Sequence, residues 1–225
     1  MKRVAYLIVV ALAVLGSAAQ ASPIFIFNTG VDVFGSVLAD GTVGDPHYSL
    51  FAVPSGTTDI RVRTSAGGYP VGGGAWLGDD GLSAWIGPNN NSLVAGIGGV
   101  YDYRTTFDLT GLDPLSATLI GQWATDDLAV DILINGVSTG NSSAGYNLWT
   151  SFSINSGFVS GVNTIDFVVR NLGNDVTFDP LNPTGLRVEI TGTAQEEGTI
   201  PEPASFVLLG AGLVGLSLLR RRPQA

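Results

Sequence analysis

Short runs in which apolar and polar residues alternate, each closed by glycine, asparagine, aspartate or proline, restrict the fold of this chain most. In residues 164–170, Ile165, Phe167 and Val169 share one face, while Asp166 and Arg170 share the other with Val168. In residues 186–191, Leu186, Val188 and Ile190 oppose Arg187, Glu189 and Thr191. A period of two turns one face of a strand toward a core and the other toward water. Comparable runs fall at residues 24–28, 48–53, 59–64, 82–87, 101–109, 117–124, 128–134 and 148–154, and the interior carries no helical stripe. The pattern predicts an all-β chain whose one-sided strands stack as a β-sandwich. Asn135-Gly136 after Ile134 predicts a tight hairpin turn, since both residues tolerate positive φ.

Both ends depart from this pattern. Lys2-Arg3, an apolar run over residues 4–15, and Ala19-Gln20-Ala21 before Ser22 have the layout of a secretory signal with a small-residue cleavage site. At the other end, Pro201-Glu202-Pro203 precedes a run of small and apolar residues from Ala204 to Leu219, then Arg220-Arg221-Arg222. As a helix that run rises about 24 Å, a little short of a hydrocarbon core of about 30 Å, so the arginines sit at or snorkel toward headgroups. The positive-inside rule puts the arginines in the cytoplasm and Pro201-Glu202-Pro203 outside. Gly210, Ala211, Gly212 and Gly215 offer small faces for close helix contact.

A plain C-terminal anchor would explain the helix and the arginines but not the Pro-Glu-Pro. The three elements together resemble the PEP-CTERM sorting tail of Gram-negative bacteria. That resemblance implies recognition at the inner membrane by an exosortase, a membrane-embedded transpeptidase-like enzyme, and delivery to the cell surface or its exopolysaccharide matrix. It implies an address and not an activity. The expected organisation is a signal peptide over residues 1–21, an exported β-sandwich over 22–198, and a sorting tail over 199–225 with a transmembrane helix.

Within 22–198 the only basic residues are Arg61, Arg63, Arg104, Arg170 and Arg187, against eighteen of the nineteen acids, a formal charge of −13. Such a surface is a poor partner for nucleic acid, which requires clustered Lys and Arg. The chain has no cysteine, which removes disulfides, thiol nucleophiles and thiolate metal sites.

The second half carries a further likeness. The run from Trp123 through Asp126-Asp127 to Ile134-Asn135-Gly136 looks like the segment of galactose-binding-like jelly rolls in which an Ala-x-Asp-Asp turn leads into a strand ending in Asn-Gly. Gly161-Val162-Asn163-Thr164-Ile165 resembles the Gly-x-Asn-x-Ile strand of the same domains, and Asn182-Pro183-Thr184-Gly185 opens a final strand as it does there. The likeness covers roughly residues 101–193 and implies a jelly-roll sandwich. Many such domains bind sugars and others only brace their neighbours, so architecture alone assigns no ligand.

Catalytic parts are few. His47 is the sole imidazole, and no nucleophile-elbow pattern accompanies it. A glycosidase needs only two carboxylates at a suitable separation, so a hydrolase using an Asp/Glu pair stays open as the alternative to a non-catalytic role. Asp40, Asp45, Asp79, Asp80, Asp126 and Asp127 lie in irregular loops whose hard oxygens suit a structural Ca²⁺; Asp126 and Asp127 are the pair of choice. Solvated turn residues are the competing reading.

Aromatics supply the one sugar-binding clue. Trp149 falls on the polar face of residues 148–154 with Ser151 and Ser153, where an indole can stack on a sugar ring. Trp76, which closes a glycine-rich stretch from Gly67, and Trp85 lie near loops and fit either role, whereas Trp123 has the parity of the core. The expectation is an exosortase-sorted surface or matrix protein, non-catalytic and glycan-binding through Trp149, Trp76 or Trp85. A purely structural matrix protein is the second alternative.

Overall fold

The computed structural model describes residues 21–54, 59–88, 97–142, 145–173 and 182–198, together with Gly210 and Gly212. The leader and the sorting helix, including Pro201, Glu202, Pro203, Arg220, Arg221 and Arg222, otherwise lie outside the described residues. Among the described residues no helix is long and apolar enough to cross a membrane.

Each of the ten alternating runs overlaps a strand, the 24–28 run only at Ile24 and the 82–87 run only from Trp85 on. In chain order these are β1 (Ala21–Ile24), β2 (Ser49–Ala52), β3 (Ile60–Arg63), β4 (Trp85–Pro88), β5 (Gly99–Asp108), β6 (Thr118–Asp126) and β7 (Leu128–Ile134). They continue with β8 (Val137–Ser138), β9 (Thr150–Ile154), β10 (Val162–Asn171) and β11 (Gly185–Gln195). The short β8 follows the Asn135-Gly136 turn, whose φ angles of 51° and 79° are the left-handed values a tight hairpin needs.

The strands form two antiparallel sheets. One has the order β3-β4-β11-β6-β9, with β1 pairing β11 beside that path; the other has the order β2-β5-β10-β7-β8. β5 and β10 pair along their whole length, from Val162 opposite Asp108 to Asn171 opposite Gly99. β1 departs from the expected 24–28 run because its ladder with β11 ends at Ile24 opposite Gly192. Beyond it side chains take over: Asn28 Oδ1 accepts the Ile190 N–H at 2.8 Å, and Thr29 Oγ1 accepts the Val188 N–H at 3.0 Å.

Between the sheets lies one core. Phe167, wholly buried, stands 5.7 Å from Trp123 and 6.1 Å from Phe152, ring centroid to centroid. Ile165 and Val169 share its face, and Leu186, Val188 and Ile190 meet them from β11, as the alternation requires. Trp123 is core as its parity indicates. Gly121 is obligatory on the same face, because a Cβ there would stand 2.3 Å from the Glu189 carbonyl oxygen.

The opposite faces are less watery than alternation suggests. Asp166 is 1% exposed; its carboxylate receives Arg104 Nε at 2.5 Å and Nη2 at 2.8 Å. Arg187 is also 1% exposed. Both were expected on solvated faces, and each is buried because another charged group on a neighbouring strand or loop closes over it.

Candidate functional site

The outer face of the larger sheet is built in rows. Pairing sets Glu189 beside Gln122 and Gln122 beside Ser151 across β11, β6 and β9; the row below holds Thr191, Ile120 and Ser153. A shallow groove of about 410 Å³ runs over these rows, lined by Ile120, Gln122, Ser151, Phe152, Glu189 and Thr191. Glu189 Oε2 accepts Gln122 Nε2–H at 2.8 Å and Oε1 accepts the Ser83 hydroxyl at 2.9 Å. The carboxylate, amide and hydroxyl therefore lie side by side, offering donors and acceptors of the kind that sugar hydroxyls use.

One row above, the stretch from Ser65 to Ser83 folds over the sheet and closes the groove's end. It begins as a 3₁₀ turn, Ser65–Gly67, and passes through a cis Tyr69-Pro70 bond. Val71 and Trp76 from this stretch pack with Trp85 and Ala124 in a second apolar cluster, against which Ala75, Leu77 and Trp149 lean. Gly185 lies beneath it, where a Cβ would stand 2.8 Å from the Trp76 ring. The glycine-rich stretch that Trp76 closes is thus the wall of a small core.

Arg187 joins the two regions. Its Nε donates to Ser83 Oγ at 2.7 Å, Nη1 to the Gly78 carbonyl at 2.6 Å, and Nη2 pairs with Asp80 at 2.7 Å. Its guanidinium carbon stands 5.0 Å from the Trp149 ring centre, within the range of cation–π attraction. Burial raises the Asp80 carboxyl, but the Leu82 amide and the Arg187 charge outweigh it and hold the group below its usual range. Arg187 was not singled out from sequence. The available signal was Asp80 in a loop, an acid whose partner lies over a hundred residues away.

The aromatic candidates divide. Trp85 is fully buried and Trp76 nearly so; they pack at 4.3 Å and donate their indole N–H groups to the Leu77 carbonyl and to Asp126. Neither can stack on a sugar, because the cluster covers both rings. Trp149 is half-buried, on the groove side, with the Arg187 guanidinium over its ring rather than the open polar surface expected.

The candidate calcium ligands are dispersed. Asp126 is buried and accepts Trp76 Nε1–H at 2.6 Å, while Asp127 Oδ2 accepts the Leu172 N–H and Asn182 Nδ2–H. Adjacent in sequence, the two carboxylates serve different networks. Asp45 caps its own loop by accepting the Gly30, His47 and Tyr48 amides, and burial raises its pKa. Asp79 accepts the Ser65 amide and hydroxyl, and Asp40 accepts the Thr64 amide. Among the described residues no three His, Cys, Asp or Glu side chains lie together as a metal site would require. His47 stacks on Phe27 at 3.7 Å, and its Nε2 donates to the Asp32 carbonyl rather than meeting a serine.

On the other sheet, Arg104 of β5 lies opposite Asp166 of β10, with Asp102 two residues along β5 opposite Val168, and the Phe51 ring covers the guanidinium at 3.3 Å. Burial, then the neighbouring Asp166 charge, pushes Asp102 up to about 6. This cross-strand acid pair was not legible as such, because the two aspartates are 64 residues apart in number.

No curated protein matches the sequence. Residues 199–222 match the PEP-CTERM protein-sorting motif. That motif indicates exosortase-dependent sorting to the cell surface.

Proposed function

We propose that the exported sandwich is a non-catalytic glycan-binding protein of the cell surface or its exopolysaccharide matrix. The observation that carries the reading is the Glu189–Gln122–Ser151 row, polar groups set beside Ile120 and Phe152 in an open groove on a sheet face, with the half-buried Trp149 beyond its end. A shallow groove that mixes polar groups with the apolar surface of Ile120 and Phe152 suits an extended sugar chain, whose rings carry both hydroxyls and apolar faces. Among the described residues Glu189 is the carboxylate that lines it, whereas hydrolysis by the two-carboxylate route requires a pair; this favours holding a glycan over cleaving it.

Topology supports the galactose-binding-like jelly roll. In the orders β4-β11-β6-β9 and β5-β10-β7-β8 the first of eight strands lies beside the last and the second beside the seventh. That is the arrangement of a strip rolled up as two Greek keys.

The test is a glycan array probed with the full chain in detergent, with Gln122→Ala and Ser151→Tyr alongside. Binding by the native chain that falls in both variants is the expected result. Unchanged binding in both variants removes the groove, and no binding by the native chain favours a purely structural matrix role. Thermal melts of the chain with and without a chelator test whether the acidic loops hold a structural Ca²⁺, since a cation bound only to the folded state raises the melting temperature.

A further inference from the structure

Among the described residues, the sandwich's backbone tie nearest the tail in sequence is the Glu197 N–H, which donates to the Gly111 carbonyl at 2.8 Å, next to the Leu112–Glu196 bridge. Pro201 follows four residues later. Extended chain spans at most about 3.6 Å per residue, so the Pro-Glu-Pro signal begins within about 14 Å of chain from Glu197. An enzyme of ordinary size that acts on this signal must approach the end of the sandwich from which the tail departs.

That end has a defined surface. Asp113 N–H bonds the Gln195 carbonyl and Leu109 N–H bonds the Gly161 carbonyl, so the β5–β6 connection ties together the end of β11 and the approach to β10. On it Leu115 is 92% exposed, and Val162, at the start of β10 opposite Asp108, is 66% exposed. Beside them a groove of about 560 Å³ is lined by Pro23, Phe25, Asp108, Leu112, Glu196 and Glu197 among others. Hydrogen bonds from Thr110 hold Asp108 in place, and the Asp113 carboxylate caps Leu115 N–H at 3.0 Å, so the apolar side chains stand on a braced rim.

We propose that this end of the sandwich is a docking surface for the exosortase-type enzyme that processes the tail. Leu115 and Val162 make its apolar contacts, and Asp108, Glu196 and Glu197 form its acidic rim. The enzyme then reads a folded body as well as a linear signal. The proposal rests on the sorting reading of the tail. A protein partner is favoured over the bilayer itself, since three carboxylates facing anionic headgroups are repelled by them.

Processing is followed by pulse-chase in cells that carry the enzyme, using the full chain. Leu115→Asp with Val162→Asp should slow conversion of precursor several-fold without lowering the melting temperature, while Val100→Asp, at the other end of β5, should not. Leu115→Ser, which alters a side chain that is almost wholly exposed, supplies a second variant should the double one fold poorly. A flexible Gly/Ser spacer of about twelve residues after Gly198 should make processing indifferent to the double substitution. Native-rate processing of the Leu115 variants, equal slowing in Val100→Asp, or sensitivity that the spacer does not relieve would each overturn the proposal. Loss of binding to anionic vesicles in the double variant would overturn it in favour of the lipid. Glu202→Ala separates the two layers: its normal processing would remove the sorting reading itself, whatever the Leu115 variants do.

Discussion

Adjacent residues on β10 illustrate how differently two burials stabilise. Phe167→Ala removes a ring from between Trp123 and Phe152 and should cost about 3–5 kcal/mol. Asp166→Ala leaves Arg104 facing Asp102 alone and should cost about 2–3 kcal/mol, because hydrogen bonds to charged groups are worth more than neutral ones and their loss strands the partner. Urea unfolding of both variants checks this; a negligible loss at Asp166 would show that its pair with Arg104 contributes nothing. Asp102 provides a pH signature. Its folded pKa, about 6, lies above the ordinary 3.8, so the folded state prefers the protonated form. Its contribution is fully present at low pH and is lost as pH rises through 6. The stability of Asp102→Asn relative to the native chain should therefore increase between pH 4 and pH 6 and level off above, measured by thermal melts across that range.

At the scale of elements, strands such as β5, β7 and β9 were legible because they pair a buried face with a more exposed one, and Asn135-Gly136 announced its turn, whereas β2 has no buried residue and β4 is buried throughout. What sequence could not show was which polar positions would be covered. Arg187 and Asp166 obey the alternation and point away from the main core, yet the Ser65–Ser83 stretch covers one and Arg104 with Phe51 covers the other. Both coverings depend on contacts distant in sequence, which period-two patterns do not encode. The tryptophans split for the same reason: Trp123 follows its strand, whereas Trp76, Trp85 and Trp149 are placed by the covering stretch. Gly185→Ala tests that cover, since the added methyl must displace the Trp76 ring or the Ile86 carbonyl, 3.1 Å away. A loss of about 1–3 kcal/mol with altered tryptophan fluorescence is expected; an unchanged spectrum would mean that the stretch yields without cost.

At the scale of the whole molecule, address and body are written in different parts of the chain. Deleting Arg220, Arg221 and Arg222 should leave unprocessed precursor at the inner membrane while the sandwich keeps its melting temperature, checked by fractionation and by melts of the extracted chain. The sandwich's own ends are tied together, Ala21 opposite Gln195 and Ile24 opposite Gly192, on a strand that β6 flanks along its other edge. Tension applied through the tail therefore enters along the axis of β11 and loads the ladders to β1 and β6 in shear, many hydrogen bonds at once, instead of unzipping them singly. The same β11 carries Glu189, so a polymer gripped in the groove would pull against the tail through one continuous strand, and under flow the sandwich would act as a mechanical link.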